Sequence, residues 1–224
     1  LSSPALAEVL IDGLRAGGAT VLDVGLATTP MLNYAVARWR RHGLMVTASH
    51  NPKEYNGVKV IDPGVEQVYY GRGLERLEEL LVTQRFTVGG TRGGLTLRTI
   101  LPEYEAMIAA RFREEVRGAP ALVVDCANGV GGLPLGVLET LGIAYTLLYH
   151  VPNGEFPNHG CDTLRAENLR DLQGAVTQQD TGLGVMFDGD ADRVAFVDGR
   201  GEAARLDHVF VLLARQALAG GSGR

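Results

Sequence analysis

The sequence has no excess of basic residues, because its 21 Lys and Arg residues are outnumbered by 26 Asp and Glu residues, which gives a formal net charge of -5. A surface that binds a nucleic-acid backbone or an acidic membrane carries positive charge, so this balance argues against both partners. The sequence also contains no apolar run near the ~20 residues that a bilayer span requires. Its first residues, LSSPALAEVL, lack the basic start and long apolar stretch of a signal peptide. A cytoplasmic location is therefore expected.

Cysteine is scarce as well. Cys126 and Cys161 stand alone with no C-x-x-C pair, which excludes a zinc knuckle or a disulfide framework and predicts two reduced thiols. What remains is ordinary for a globular protein: 46% of the 224 residues are hydrophobic and 21% are charged, enough to bury the core of one large domain or two smaller ones. The chain does not begin with Met and its tail reads GGSGR, so a fragment of a longer protein is expected.

Apolar periodicity, interrupted by glycine and proline, predicts helices that alternate with strands. The predicted helices are 3–15, 31–42, 72–82, 101–117, 133–141, 165–178 and 207–219. The predicted strands are 21–27, 44–47, 58–62, 121–126, 144–149 and two more around 188–193. The glycine-rich segment TVGGTRGG suits neither a helix nor a central strand, so a domain boundary is expected at 87–94, between domains of residues 1–90 and 98–224. The predicted fold class is α/β, with two consecutive domains that have mainly parallel mixed sheets and flanking helices.

A polar loop in the run TASHNPKEYNGVKV (47–60) holds the first candidate for chemistry. Small residues followed by Ser-His-Asn-Pro place the hydroxyl of Ser49 on an exposed turn, which fits either plain turn chemistry or a nucleophile. A Ser-His hydrolase does not fit, since its nucleophile elbow needs G-x-S-x-G and since His50 would point away from Ser49 in an extended segment. Lys59 lies on the next strand, where loss of solvation would shift it toward neutrality and make it a general base or a phosphate contact. A solvated strand lysine is the alternative.

The most specific motif is DGDADR (188–193), directly after the apolar run LGVMF. Three carboxylates at alternate positions repel one another unless a cation offsets their charge. Gly189 and Ala191 leave room for the chain to fold around an ion, and oxygen-only ligands suit Mg²⁺. An EF-hand does not fit, because Arg193 stands where that loop needs glycine and Gly199 where it needs a bidentate glutamate. A solvated acidic loop is the alternative.

The run NGVGG (128–132), after the strand VVDC, is superficially similar to a dinucleotide-binding loop. The third glycine of G-x-G-x-x-G would fall on Pro134, so that fingerprint fails. The run predicts a tight turn from strand to helix, with anion contact at the helix N-terminus as the alternative.

Together these segments resemble one enzyme family. TASHNPKEYNGVKV, NGEFPNHGCDTLRAENLRDL and VMFDGDADRVAFVD, in this order and at this separation, are similar to the α-D-phosphohexomutases: the phosphoglucomutases, phosphomannomutases and phosphoglucosamine mutases. The resemblance covers nearly the whole chain, as the latter part of the family's first domain and its second domain. G-x-F-P-N-H is typical of the phosphomannomutase/phosphoglucomutase branch, whereas CDTLRAENL departs from that branch, so phosphoglucosamine mutase stays open as an alternative.

The resemblance implies an isomerase that acts as an intramolecular phosphotransferase on a hexose phosphate. Ser49 would be a phosphoserine that donates its phosphoryl group to a hexose monophosphate. The resulting hexose bisphosphate would reorient and return its other phosphoryl group to Ser49. Asp188, Asp190 and Asp192 would hold Mg²⁺ together with an oxygen of phosphorylated Ser49, so that the metal neutralises charge on the transferred group.

The resemblance also assigns roles to four neighbouring residues. Arg193 would steady the transferred phosphate and Lys59 would be the acid or base, while His50 and Asn51 would shape the loop around Ser49. The family's N-terminal strand, its sugar-binding third domain and its phosphate-binding fourth domain have no counterpart in these residues. Positioning supplies most of the catalysis in phosphoryl transfer, so the 224 residues are expected to be inactive alone.

Two other classes of function stay open. One is a phosphatase with an aspartate nucleophile, for which D-x-D is a partial signal, although such an enzyme would have Thr or Val at the position of Asp192. The other is an inactive binding module that keeps the metal loop. Phosphorylation of Ser49 distinguishes the mutase from both.

Overall fold

The computed structural model of the chain describes residues 1–85 and 90–219. Its helices are α1 (Ser3–Ala16), α2 (Thr29–Trp39), α3 (Leu74–Thr83), α4 (Leu101–Phe112), α5 (Gly136–Thr140), α6 (Arg170–Gln179) and α7 (Leu206–Ala219). Its strands are β1 (Val21–Asp23), β2 (Gly43–Val46), β3 (Val58–Ile61), β4 (Leu95–Leu97), β5 (Leu122–Asp125), β6 (Tyr145–Leu148), β7 (Leu183–Phe187) and β8 (Val194–Asp198). None of the helices in these two ranges is long and apolar enough to cross a bilayer. The predicted boundary segment lies partly outside the described residues, and the GGSGR tail lies wholly outside them.

The ends of the helices follow from a few local signals. Proline stands in the first turn of α1, where its missing N–H is harmless, and Gly17 ends the helix. α2 begins two residues before the predicted start because the side chain of Thr28 accepts the N–H of Met31 and caps it. It ends at Trp39, because the next residue, Arg40, adopts a left-handed conformation. α4 is shorter than predicted: it ends at Phe112, whereas the sequence predicted a helix up to residue 117.

The second half of the chain forms a four-stranded sheet with the order β6-β5-β7-β8. β6, β5 and β7 are parallel, and β8 pairs with β7 in the antiparallel direction through the short loop 188–193. α6 packs on this sheet and buries Leu172 and Val176 completely against Val123 and Met186. Because the loop 188–193 joins β7 to β8, it leaves the sheet at the carboxyl end of β7, next to the end of β5.

The first half contains two separate strand pairs. β1 pairs with β4 in parallel, and β2 pairs with β3 in the antiparallel direction. The expected α/β class with mixed, mainly parallel sheets is confirmed: β1–β4, β5–β6 and β5–β7 are parallel pairs, whereas β2–β3 and β7–β8 are antiparallel. β2 and β3 are antiparallel because the loop between them contains no crossover helix that could turn the chain back. β4, which the sequence did not predict, follows the glycine-rich segment and extends the strand pairing of the first half to Leu97.

The two halves share an apolar cluster. Met31 and Ala35 of α2 pack with Ile100, which is fully buried at the start of α4, and Leu133 joins them from the second half. Burial of these side chains removes apolar surface of both halves from water. The cluster therefore holds the N-terminal end of α2 against the second half, where the loop 188–193 lies. The division into residues 1–90 and 98–224 stays a prediction.

Candidate active site

Two loops that are far apart in the sequence meet at the candidate site. One follows β2 and carries Ser49, and the other joins β7 to β8 and carries the three aspartates. The hydroxyl of Ser49 donates a hydrogen bond to Oδ2 of Asp188 at 2.8 Å, across a separation of 139 residues. The structure therefore brings together the two motifs that the sequence singled out.

The backbone turns sharply at Ser49, whose φ of 53° lies in the left-handed region. This conformation is strained for a residue with a Cβ and is held by the Ser49 N–H, which donates to Oγ1 of Thr47 at 2.8 Å. The turn brings Nδ1 of His50 to 3.4 Å from the Ser49 hydroxyl. His50 was expected to point away from Ser49 only in an extended segment, and the loop is not extended at Ser49. Asn51 closes the turn by donating its N–H to the carbonyl of Ala48 at 3.0 Å.

The three aspartates form a compact acidic group. One carboxylate oxygen from each of Asp188, Asp190 and Asp192 lies within 4.8 Å of the others. Asp188 and Asp190 are buried, and Oδ1 of Asp188 accepts the backbone N–H groups of Asp192 and Arg193 at 3.0 and 3.1 Å. Burial raises the pKa of Asp188, and the charges of the other two carboxylates raise it further. A cation bound here would relieve that repulsion.

Lys59 lies directly against the acidic group. Its Nζ is 2.6 Å from Oδ2 of Asp190 and 2.6 Å from Oδ2 of Asp192. Burial by itself would lower the pKa of Lys59, but the hydrogen bonds and charges of the two carboxylates outweigh burial and raise it. The expectation of a shift toward neutrality is therefore wrong: the ammonium form of Lys59 is stabilised and donates hydrogen bonds to both carboxylates.

The residues present fit a hard metal ion. Oδ1 of Asp190 is buried and, within residues 1–85 and 90–219, has no hydrogen-bond partner. A buried polar atom without a partner is costly unless something else binds it. The surrounding donor set consists of carboxylate oxygens and the hydroxyl of Ser49, which suits Mg²⁺ better than a metal that prefers nitrogen or sulfur ligands.

Glycine is required where the loops touch. A Cβ on Gly189 would lie 2.5 Å from the carbonyl oxygen of Ser49, and a Cβ on Gly129 would lie 2.6 Å from the carbonyl oxygen of Gly189. The N–H of Val130 donates to that same carbonyl at 3.0 Å. The NGVGG run is thus a tight turn that packs against the loop 188–193.

Other predicted residues lie at the rim of the site. Arg193 is exposed, and its guanidinium makes no ion pair or hydrogen bond within the described part of the chain. Asn51 is exposed as well. Lys53 of the serine loop pairs with Glu155 of the second half at 2.5 Å, which links the two loops at the surface.

Sequence reasoning missed two threonines that touch the acidic group. Thr29 Oγ1 and Thr47 Oγ1 both donate to Oδ2 of Asp190, at 2.9 and 3.0 Å. In the sequence, Thr29 follows another threonine at the start of a helix and Thr47 ends a strand, so neither carried a signal for chemistry. Only the proximity of the chain segments in the fold identifies them.

A second polar pair was also missed. Nε2 of His159 lies 3.0 Å from Oδ2 of Asp125, which is fully buried at the end of β5. Nδ1 of His159 lies 2.8 Å from the carbonyl of Gly160. Burial by itself would lower the pKa of His159, but Asp125 and Gly160 raise it above its ordinary value. The pair braces the loop that precedes Cys161, whose thiol contacts the carbonyl of Ser49 at 3.5 Å.

Comparison with known proteins identifies relatives of both halves. Residues 1–68 match the family described as phosphoglucomutase/phosphomannomutase, alpha/beta/alpha domain I, and residues 102–201 match domain II of that family. A phosphomannomutase/phosphoglucomutase of Pseudomonas syringae pv. tomato is 37% identical, and a phosphoglucomutase of Neisseria meningitidis serogroup B is 36% identical, each over 97% of the chain. A crystal structure of a phosphoglucomutase/phosphomannomutase family protein from Burkholderia thailandensis covers 100% of the chain with a TM-score of 0.85 and 32% identity.

The chain spans about half the length of these relatives. It covers 46% of the Pseudomonas protein, 47% of the Neisseria protein and 50% of the Burkholderia chain.

Proposed function

Because the chain belongs to the phosphoglucomutase/phosphomannomutase family, we propose that it forms the phosphoserine and metal-binding part of a hexose phosphate mutase. The reaction is the interconversion of a hexose 1-phosphate and a hexose 6-phosphate through a hexose bisphosphate. One observation carries the proposal: the hydroxyl of Ser49 lies 2.8 Å from a buried carboxylate of a three-aspartate group that suits a divalent cation.

Ser49 is the proposed carrier of the phosphoryl group. A hydroxyl oxygen of the sugar monophosphate attacks the phosphorus, and the bond from phosphorus to Ser49 Oγ breaks. The sugar hydroxyl gives up one proton and Ser49 Oγ takes up one, so the serine leaves as a neutral hydroxyl. After the bisphosphate turns round, Ser49 Oγ attacks the other phosphorus and loses its proton. The bond from that phosphorus to the sugar oxygen breaks, and the sugar oxygen takes up a proton as the monophosphate product forms. The left-handed turn at Ser49 directs the serine loop toward the acidic group, where the half-buried hydroxyl is oriented by its contact with Asp188.

Asp188, Asp190 and Asp192 would hold Mg²⁺, with an oxygen of the phosphorylated Ser49 as a further ligand. When bound, the ion would neutralise negative charge on the phosphoryl group during transfer. Lys59 contributes a positive charge beside the same carboxylates and is the proposed proton donor. His50, at 3.4 Å from the Ser49 hydroxyl, and Arg193, which is exposed at the rim, are the proposed contacts for the phosphoryl oxygens.

We propose glucose and mannose phosphates as the substrates, since the curated relatives carry the names phosphoglucomutase and phosphomannomutase. Glucosamine phosphate is the comparison substrate in any test of this choice. The cytoplasmic location and the absence of a nucleic-acid partner stay predictions from the sequence.

The test is the transfer of a phosphoryl group to this chain. The purified chain is incubated with glucose 1,6-bisphosphate and Mg²⁺, and its intact mass and peptide map are measured. We expect a gain of one phosphoryl group on Ser49, because this single step uses the serine loop and the acidic group of the chain itself. The expected inactivity of the chain alone concerns turnover of a hexose phosphate. Ser49→Ala should abolish the gain, whereas the control Ser2→Ala, at an exposed serine away from the acidic group, should leave it unchanged.

Two results would contradict the proposal. Phosphate found on an aspartate and released by hydroxylamine would indicate the phosphatase instead. A chain that binds Mg²⁺ but takes up no phosphoryl group from glucose or mannose bisphosphate would indicate the inactive binding module.

A further inference from the structure

Asp190 carries an uneven set of hydrogen bonds. Its Oδ2 accepts from Thr29 Oγ1 at 2.9 Å, from Thr47 Oγ1 at 3.0 Å and from Lys59 Nζ at 2.6 Å. Its Oδ1 is buried and has no partner among the residues that the structure describes. A carboxylate offers about four lone-pair sites, two on each oxygen, so three donors crowd one oxygen while the other accepts nothing. Because an unpaired buried acceptor is costly, this asymmetry does not serve the stability of the fold.

The two threonine hydroxyls are held in place by their own elements. Thr29 opens α2, and its N–H donates to the carbonyl of Asp190 at 2.9 Å, so it binds that residue at two points. Thr47 follows β2, and its Oγ1 also accepts the N–H of Ser49 at 2.8 Å. A hydroxyl has one proton to donate and two acceptor sites, so Thr47 can make both bonds at once. Through this one side chain, the carboxylate of Asp190 is connected to the backbone of Ser49.

We propose that Thr29 and Thr47 are positioning residues whose hydroxyls occupy Oδ2 of Asp190 and leave Oδ1 as the oxygen available to the cation. This inference rests on the proposed function, because it takes Asp190 to be a metal ligand. When one of these hydroxyls is removed, Lys59 and the other threonine alone hold Oδ2 of Asp190. The carboxylate is then less ordered, and cation binding has to order it. Removing a group that orients a metal ligand typically weakens metal affinity by about 10–100-fold.

The experiment compares valine and serine variants at both positions. Thr29→Val and Thr47→Val remove the hydroxyl with little change in shape. We expect the dissociation constant for Mg²⁺, measured by calorimetry on the full 224-residue chain, to rise about tenfold or more in each. Mn²⁺ accepts similar oxygen ligands and serves as a second probe that can be followed by EPR. Thr29→Ser and Thr47→Ser keep the hydroxyl and should restore the wild-type affinity.

Thr28 provides a matched control beside Thr29. It is also a buried threonine, but its Oγ1 accepts the N–H of Met31 and caps α2. Thr28→Val should therefore lower the melting temperature and leave the Mg²⁺ dissociation constant unchanged. If Thr29 had only a structural role, Thr29→Val would show that same pattern, and the inference would be overturned.

The outcomes separate this inference from the proposed function. A wild-type chain that binds neither Mg²⁺ nor Mn²⁺ would refute the metal site itself, and the inference with it. A wild-type chain that binds the ions, with valine variants that bind them equally well, would refute the positioning role alone. Should Thr29→Val fail to fold, the half-buried Thr47 decides the inference by the same criteria.

Discussion

Replacing Gly189 by alanine tests whether the close packing of two loops sets the position of Ser49. The new Cβ would lie 2.5 Å from the carbonyl oxygen of Ser49, where ordinary contact begins near 3.4 Å. The loops would therefore have to separate by the difference between these distances, about 0.9 Å. The atom that must move is backbone rather than the end of a flexible side chain, so the serine loop itself has to shift.

Both stability and chemistry should respond to this shift. Overpacking in a closely packed region costs about 1–3 kcal/mol in the free energy of unfolding. A displacement near 1 Å of a reacting group costs about 100-fold in rate. We therefore expect Gly189→Ala to remain folded, to lose about 1–3 kcal/mol, and to accept a phosphoryl group on Ser49 about 100-fold more slowly than the wild type.

Urea unfolding measures the first effect, and the rate of phosphoryl uptake from glucose 1,6-bisphosphate measures the second. Gly13→Ala is the control, because Gly13 lies in α1 and a Cβ there would meet no atom within 4 Å. That variant should gain about 0.5–1 kcal/mol from the better helix propensity of alanine and should take up phosphate normally. If Gly189→Ala matches the wild type in both measurements, loop packing does not position Ser49.

Two further predictions concern the second half. Leu172 of α6 is fully buried against the four-stranded sheet, so Leu172→Ala should lower the free energy of unfolding by about 2–5 kcal/mol. A loss below about 1 kcal/mol in urea unfolding would contradict the packing of α6 on that sheet. The pKa of His159 is raised above 6.5, so its interaction with Asp125 stabilises the fold fully below pH 6.5 and is lost as the pH rises through the folded pKa. The difference in unfolding free energy between wild type and His159→Gln should therefore shrink above pH 6.5, and a difference independent of pH would count against a charged pair.

Local patterns predicted most helices and strands, but they did not predict all of the bounds or strand β4. α1 and α7 begin and end within one residue of their predicted bounds, because proline, glycine and apolar spacing act over a few neighbouring residues. The predicted strand 21–27 is paired only over β1, residues 21–23. β4 was not predicted, since its three residues are all exposed and become a strand only by pairing with β1. Strands depend on partners that lie far away in the sequence.

The motifs of the candidate site were recognisable in the sequence for a similar reason. The carboxylates of the segment 188–193 lie in one short run and by themselves indicate a metal site. The run around Ser49 indicated an exposed hydroxyl, with plain turn chemistry as the alternative to a nucleophile. The family resemblance implies that the two runs lie together, and the hydroxyl of Ser49 is indeed 2.8 Å from Oδ2 of Asp188. The assignment of Ser49 as the phosphoserine came from that resemblance and not from the residues alone.

Only the tertiary structure decided how the side chains at the site interact. Thr29 and Thr47 are separated from Asp190 by 161 and 143 residues, and no spacing rule connects them. The ammonium form of Lys59 and the direction of His50 were likewise set by the folded loops. The orientation and charge state of a side chain depend on the groups that folding brings within about 3 Å, where hydrogen bonding and charge outweigh the intrinsic preference of the residue.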